Sequence, residues 1–137
     1  MWNMAFTAVD RTMIAVYRDR EPTDDEWTTY LEAVAEHGLD HSRHHIVTDG
    51  GGPNPNQRKR LNELLAGRAS PVAVVTGSTA VRGITTALSW FNREIRAFSH
   101  AEFEGALRHL KIPVEQAAIY RSRVKILQSQ LDGSRPA

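Results

Sequence analysis

The sequence predicts an α/β fold: a single domain with a mixed, mostly parallel sheet that opens with a β-hairpin and has helices packed on it. Three observations carry this. Two short apolar segments flank Asp10-Arg11 at the start of the chain. Further on, short β-branched runs at His45 to Thr48 and Pro71 to Val75 each end in a glycine-bearing turn. Each turn then leads into a segment with apolar residues at helical spacing. Strands that alternate with helices imply parallel pairing with right-handed crossovers.

The 137 residues are enough for one ordinary domain with its own core. The 17 Lys and Arg nearly balance the 16 Asp and Glu, so there is no bulk charge to attract nucleic acid or a membrane surface. Cysteine is absent, which removes disulfides, thiol catalysis and cysteine metal sites. No apolar run is long enough to span a bilayer. The start, Met1-Trp2-Asn3-Met4, lacks the basic and apolar regions of a secretion signal, so a cytoplasmic location is the default expectation.

Taken in order, Ala5 to Asp10 and Thr12 to Arg18 form the hairpin. The second strand is nearly all apolar, as suits a strand covered on both faces. Thr23 caps a helix, with Glu26 completing a capping box, and Trp27, Tyr30, Leu31 and Val34 recur on one face until Gly38 stops it. Trp27 is expected to anchor this helix to the sheet. The third strand ends at Asp49-Gly50-Gly51-Gly52. Asn54 is the N-cap of the next helix, Pro55 its first residue and Gln57 its capping-box partner; Leu61, Leu64 and Leu65 form its apolar face and Gly67 its C-cap. Pro71 to Val75 is the fourth strand, and Gly77-Ser78-Thr79 turns into a helix with Val81, Ile84, Leu88 and Phe91 on one face. Arg93 to Phe98 is the last strand. Ser99 and Glu102 form another capping box before Phe103, Ala106, Leu107 and Leu110. Pro113 restarts the chain, and Val114, Ala117, Ala118, Val124, Leu127 and Leu131 line a final amphipathic helix. The domain is expected to span residues 1–131, with 132–137 a frayed tail.

This order of elements resembles the STAS family, in its SpoIIAA-like branch. The resemblance rests on the hairpin Phe6 to Arg18, on His45 to Thr48 running into Asp49-Gly50-Gly51-Gly52 and a helix, and on Pro71 to Thr76 followed by Gly77-Ser78-Thr79. It implies a non-enzymatic switch domain that docks a regulatory protein partner. In typical members a kinase phosphorylates a serine or threonine at the helix start after the third strand. Here Asp49 to Arg58 contain neither residue, and Asn54 holds the capping place. The resemblance therefore implies a constitutive binder.

The candidate binding residues lie at the two strand-to-helix turns: Asp49, Gly50, Gly51, Gly52, Asn54, Asn56, Gln57 and Arg58 at the first, and Gly77, Ser78, Thr79 and Arg82 at the second. In α/β folds such turns at the carboxyl ends of neighbouring parallel strands open on one edge. Helix starts also offer N–H groups and a positive dipole end, and Arg58 and Arg82 suit an anionic partner. The alternative to protein docking is a module for a small anion or a phosphate-bearing or lipid-like ligand at the same edge. Nucleotide loops are excluded by spacing, because no Gly-Lys-Ser/Thr follows the glycines and they do not fit a dinucleotide fingerprint. Ser78 lacks a nucleophile elbow, and Asp49 has no histidine or second acid with a reason to meet it. No catalytic, cofactor or metal site is expected. His37, His41, His44 and His45 crowd one segment, but His44 and His45 point to opposite faces of a strand, and the group reads as solvated or capping histidines. Trp90 beside Phe91 is weighed as core or as a contact patch.

Overall fold

The computed structural model describes residues 2–39, 42–68, 70–89 and 94–133. The opening hairpin forms where the apolar segments place it. Strands β1 (Met4–Val9) and β2 (Thr12–Tyr17) pair antiparallel, with Val9 opposite Thr12 across the two-residue turn Asp10-Arg11. Asp10 takes φ +53°, the left-handed backbone that tight hairpin turns require. Helix α1 (Asp24–Glu36) follows, with Thr23 and Glu26 in the reciprocal capping box. Then come β3 (Arg43–Thr48), α2 (Pro55–Leu65), β4 (Val72–Thr76), α3 (Thr79–Ser89), β5 (Ile95–Phe98), α4 (Phe103–His109) and α5 (Ala117–Gly133). The Ser99–Glu102 capping box forms, but it opens a short 3₁₀ turn, His100–Glu102, that leads into α4.

Among the described residues the sheet has five strands in the order β1-β2-β3-β4-β5, parallel from β2 onward. Sequence order and spatial order coincide, so this sheet contains no reversal of strand order. The helices divide between the two faces. On one, Met13, Ala15 and Tyr17 of β2 pack with Trp27, Tyr30 and Val34 of α1, and Leu61 and Leu64 of α2 join them. On the other, Ile14, Val16, Val47, Ala73 and Val75 meet Phe103, Leu107 and Leu110 of α4 and Tyr120, Val124, Leu127 and Leu131 of α5. All six residues of β2 are buried, as a nearly all-apolar strand covered on both faces should be.

Three expectations are corrected. Ile84 and Leu88 do not turn inward: they are 53% and 37% exposed, and Thr85 is buried instead. Thr85 tolerates this because its hydroxyl donates to the Val81 carbonyl at 2.8 Å. Helix α3 packs mainly beside β5, so a narrow stripe suffices and the wider apolar face stays open. Val114 likewise is exposed, in the 3₁₀ turn before α5. Asp132 and Gly133, expected in a frayed tail, belong to the last turn of α5, and Asp132 pairs with Arg18 at 2.6 Å. Trp90, Phe91 and Arg93 lie outside the described residues.

The largest departure concerns the histidines. His44 and His45 are 1% and 0% exposed, not solvated. They do point to opposite faces. His44 Nδ1 shares a 3.1 Å hydrogen bond with the Tyr30 hydroxyl of α1. His45 lies edge-on to Phe103 and Tyr120 on the other face. Among the described residues, both nitrogens of His45 and Nε2 of His44 have no hydrogen-bond partner. Burial pushes both imidazoles down from 6.5 to about 4, which keeps them neutral near neutral pH. His41 lies outside the described residues.

Candidate functional site

Both candidate turns sit at the carboxyl-terminal rim of the sheet, side by side. Thr48 and Thr76 are paired in register at the ends of β3 and β4, so the loops that leave them start as neighbours. The two strand ends are built alike. The hydroxyl of Thr48 accepts from Gly50 N–H, and that of Thr76 from Ser78 N–H, each at 3.0 Å. Each hydroxyl proton is used as well. Thr48 donates to the Gly51 carbonyl, and Thr76 donates 2.7 Å to the Thr48 carbonyl. Local side-chain turns of this type stop a strand and set the direction of the loop.

The triple glycine has two distinct causes. Gly50 takes φ +140°, a conformation that side chains resist. Gly51 is buried against the preceding loop: its N–H donates to the Arg18 carbonyl at 2.9 Å, and an added Cβ would collide with the backbone of Arg20. Gly52 has open space around it. The loop after β2 is thus part of the rim, a contribution that no sequence signal near Arg18 to Arg20 announced.

Helix α2 starts as its sequence dictates. Asn54 Oδ1 accepts from Gln57 N–H and Gln57 Oε1 accepts from Asn54 N–H, both at 2.9 Å. Gln57 does more than cap. It is 1% exposed, and its Nε2 donates to the Pro22 carbonyl at 2.9 Å and to Asp24 at 3.1 Å. Its own carbonyl accepts from Trp27 Nε1 at 2.8 Å. Trp27 therefore fastens α1 to the start of α2 as well as to the sheet. Gly51 and Gln57, expected among the binding residues, are buried; they shape the rim and do not face outward.

Charged groups at the rim are largely engaged within the chain. Arg18 Nη1 pairs with Asp49 at 2.9 Å, and its Nη2 and Nε make a two-point contact with Asp132 at 2.6 and 3.2 Å. The Asp132 contact, then the Asp49 contact, hold the Arg18 guanidinium more firmly protonated than usual. Arg58 folds back, donating 2.7 Å to the Pro53 carbonyl at the foot of its own loop. Ser78 Oγ caps α3 by accepting from Val81 N–H at 3.2 Å. Arg82 approaches Glu102 at 3.8 Å, and Glu102 is held below the usual carboxylate range mainly by the Ser99 N–H and hydroxyl. The structure therefore assigns Arg58 and Arg82 different internal partners. The outward surface consists of Asp49, Gly50, Asn56, Gly77, Thr79 and Arg82, all exposed, with Gly52, Asn54, Arg58 and Ser78 half-buried between them.

Two shallow concavities lie elsewhere. One runs along α5 between Ala118, Arg121, Lys125 and Ile126; the other sits beside β5 and α4 between Arg96, Glu102 and Arg108. Among the described residues no three His, Asp or Glu side chains group as metal ligands, and no helix is long and apolar enough to cross a membrane. No family model, curated protein or solved structure matches the chain.

Proposed function

We propose that this chain is a non-enzymatic regulatory domain that docks a protein partner on the rim formed by Asp49 to Arg58 and Gly77 to Arg82, as the STAS-like order of its elements implies. One observation carries the reading: both loops are held in place by hydrogen bonds within the chain. Thr48 and Thr76 fix where the loops begin, and Asn54 and Ser78 fix where the helices start. A ledge ordered in advance loses little conformational freedom when a partner binds, which favours broad protein contact. Its outward groups are of mixed charge, Asp49 and Arg82 both being 45% exposed at the side chain.

The same bonds disfavour a small anion held at the start of α2. The Gln57 N–H is taken by the Asn54 side chain and the Arg58 N–H by the Asn54 carbonyl. Docking would be constitutive. The Thr48 hydroxyl is buried and engaged twice, which withdraws it from a kinase.

The test is site-specific photo-crosslinking in the native host, with the probe at Asn56 or Thr79 and a control probe at Glu63 on the outer side of α2. The expected result is one shared protein trapped from both rim positions and not from Glu63. With that protein purified, Asn56→Arg together with Thr79→Arg weakens its affinity by at least about tenfold, the loss of roughly 1.4 kcal/mol. Trapping equal to the control, or unchanged affinity, overturns the proposal.

A further inference from the structure

The two edges of the sheet are protected unequally. The β5 edge is four residues long and carries Arg96. The β1 edge is six residues, Met4-Ala5-Phe6-Thr7-Ala8-Val9, with no charge and no proline. Natural sheets block free edges with such residues, because a bare edge pairs with another strand.

The register shows which groups on β1 are open. Val9 and Thr12 flank a two-residue turn and so form a hydrogen-bonded pair, as do Thr7 with Ile14 and Ala5 with Val16. The N–H and C=O of Met4, Phe6 and Ala8 then point away from β2. The Met4 N–H is already closed by Glu26 Oε2, at 3.2 Å. Among the described residues, Phe6 and Ala8 keep four open groups between them.

We infer that the β1 edge pairs with the β1 edge of a second copy of this chain, antiparallel about a twofold axis at Thr7. In that register Phe6 lies opposite the partner's Ala8, and Ala8 opposite the partner's Phe6. The four open groups of Phe6 and Ala8 on each strand find a counterpart, and Met4, whose N–H is closed, lies beyond the paired segment. The lack of charge on the strand means that no like charges face each other from Met4 to Val9. Self-complementary contact of one patch with itself is what a twofold dimer demands.

Helix α5 adds to the same flank. It packs over β1 and β2, and Arg121 stacks 4.3 Å over the Phe103 ring of α4, which marks the side of α5 that faces α4. Ile119 and Ile126 share a stripe on the opposite side, past β1, and are 49% and 47% exposed. Across the twofold axis the two α5 helices lie on the same face of a continuous sheet, with these isoleucines toward each other. The carboxyl-terminal rims point to opposite ends of that sheet and stay open.

Sedimentation of the purified chain from micromolar to millimolar concentration tests this. The expected result is twice the chain mass, with slow amide exchange at Phe6 and Ala8. Ala8→Pro removes an outward N–H and leaves the β1–β2 ladder intact, and Thr7→Lys sets like charges against each other at the axis. Both are expected to be monomers with unchanged circular dichroism. Ile126→Glu, at an exposed position outside the core, weakens the dimer by at least about tenfold and decides the matter if either strand variant fails to fold. A chain that stays monomeric throughout, or a dimer indifferent to the variants that fold, overturns the inference. Neither outcome affects the rim.

Discussion

The Thr76 hydroxyl donates to the Thr48 carbonyl across 2.7 Å and accepts from Ser78 N–H at 3.0 Å, so one buried side chain ties two strand ends and the start of a loop together. Thr76→Val keeps the shape and removes both bonds, leaving a buried carbonyl and an N–H unpaired. The expected loss of stability is about 1–3 kcal/mol in urea denaturation. Amide exchange at Ser78 should speed up as well. Unchanged exchange there would show that the loop is held by other means.

The glycines at positions 51 and 52 should separate cleanly. Gly51→Ala drives a Cβ into the Arg20 backbone, and backbone cannot swing away as a side chain can. A loss of about 1–3 kcal/mol is expected. Gly52→Ala meets open space and should change stability by less than about 0.5 kcal/mol. Equal effects in thermal melts would contradict the packing of the Arg18 to Arg20 loop on the rim.

Glu26 performs two tasks with one carboxylate. Oε1 accepts from Thr23 N–H at 2.9 Å, and Oε2 accepts from Asn3 N–H at 2.8 Å and Met4 N–H at 3.2 Å. A lost capping box alone costs about 1 kcal/mol, so Glu26→Ala should cost at least about 2 kcal/mol once the start of β1 is also released. Thr23→Ala, which removes the cap alone, is the control. A Glu26 variant no worse than the Thr23 variant would mean that the grip on β1 contributes nothing.

Histidine burial sets the response to acid. Unfolded, each imidazole takes its proton near pH 6.5; folded, His44 and His45 do so only at about 4. Between those values the unfolded chain binds more protons, so stability is level above about pH 6.5 and falls as the pH drops toward 4. Each histidine contributes a slope of up to about 1.4 kcal/mol per pH unit. His44→Gln, which retains an acceptor for Tyr30, together with His45→Phe, which retains an aromatic ring, should flatten the curve. Denaturation at pH 7 and pH 5 measures it. An equally steep loss in the double variant would assign acid sensitivity to other groups.

Local signals in the chain carried much of this structure. Thr23 with Glu26, Asn54 with Gln57, and Ser99 with Glu102 each form the reciprocal cap that their three-residue spacing announces. Such bonds close within one turn of backbone and need no other part of the fold. The apolar run Thr12 to Tyr17 revealed a strand covered on both faces for the same reason: its environment is written in its own side chains. Two neighbouring strand-to-helix turns could likewise be read from the alternation of elements.

What the sequence by itself determined, then, was the kind and order of elements, their caps, and the neighbouring strand ends where the loops emerge. Tertiary structure decided which side chains those loops leave exposed. Gln57 is withdrawn beneath Pro22 and Trp27, Arg58 is turned onto Pro53, and Asp132 is brought more than a hundred residues back to Arg18. It also decided that His44 and His45 lie under helices that reach them from distant parts of the chain, α1 on one face and α4 with α5 on the other. The physical reason is range. A cap or a strand pattern depends on bonds a few residues apart, whereas burial and ion pairing depend on which distant segment arrives overhead, and that becomes defined only when the sheet is assembled.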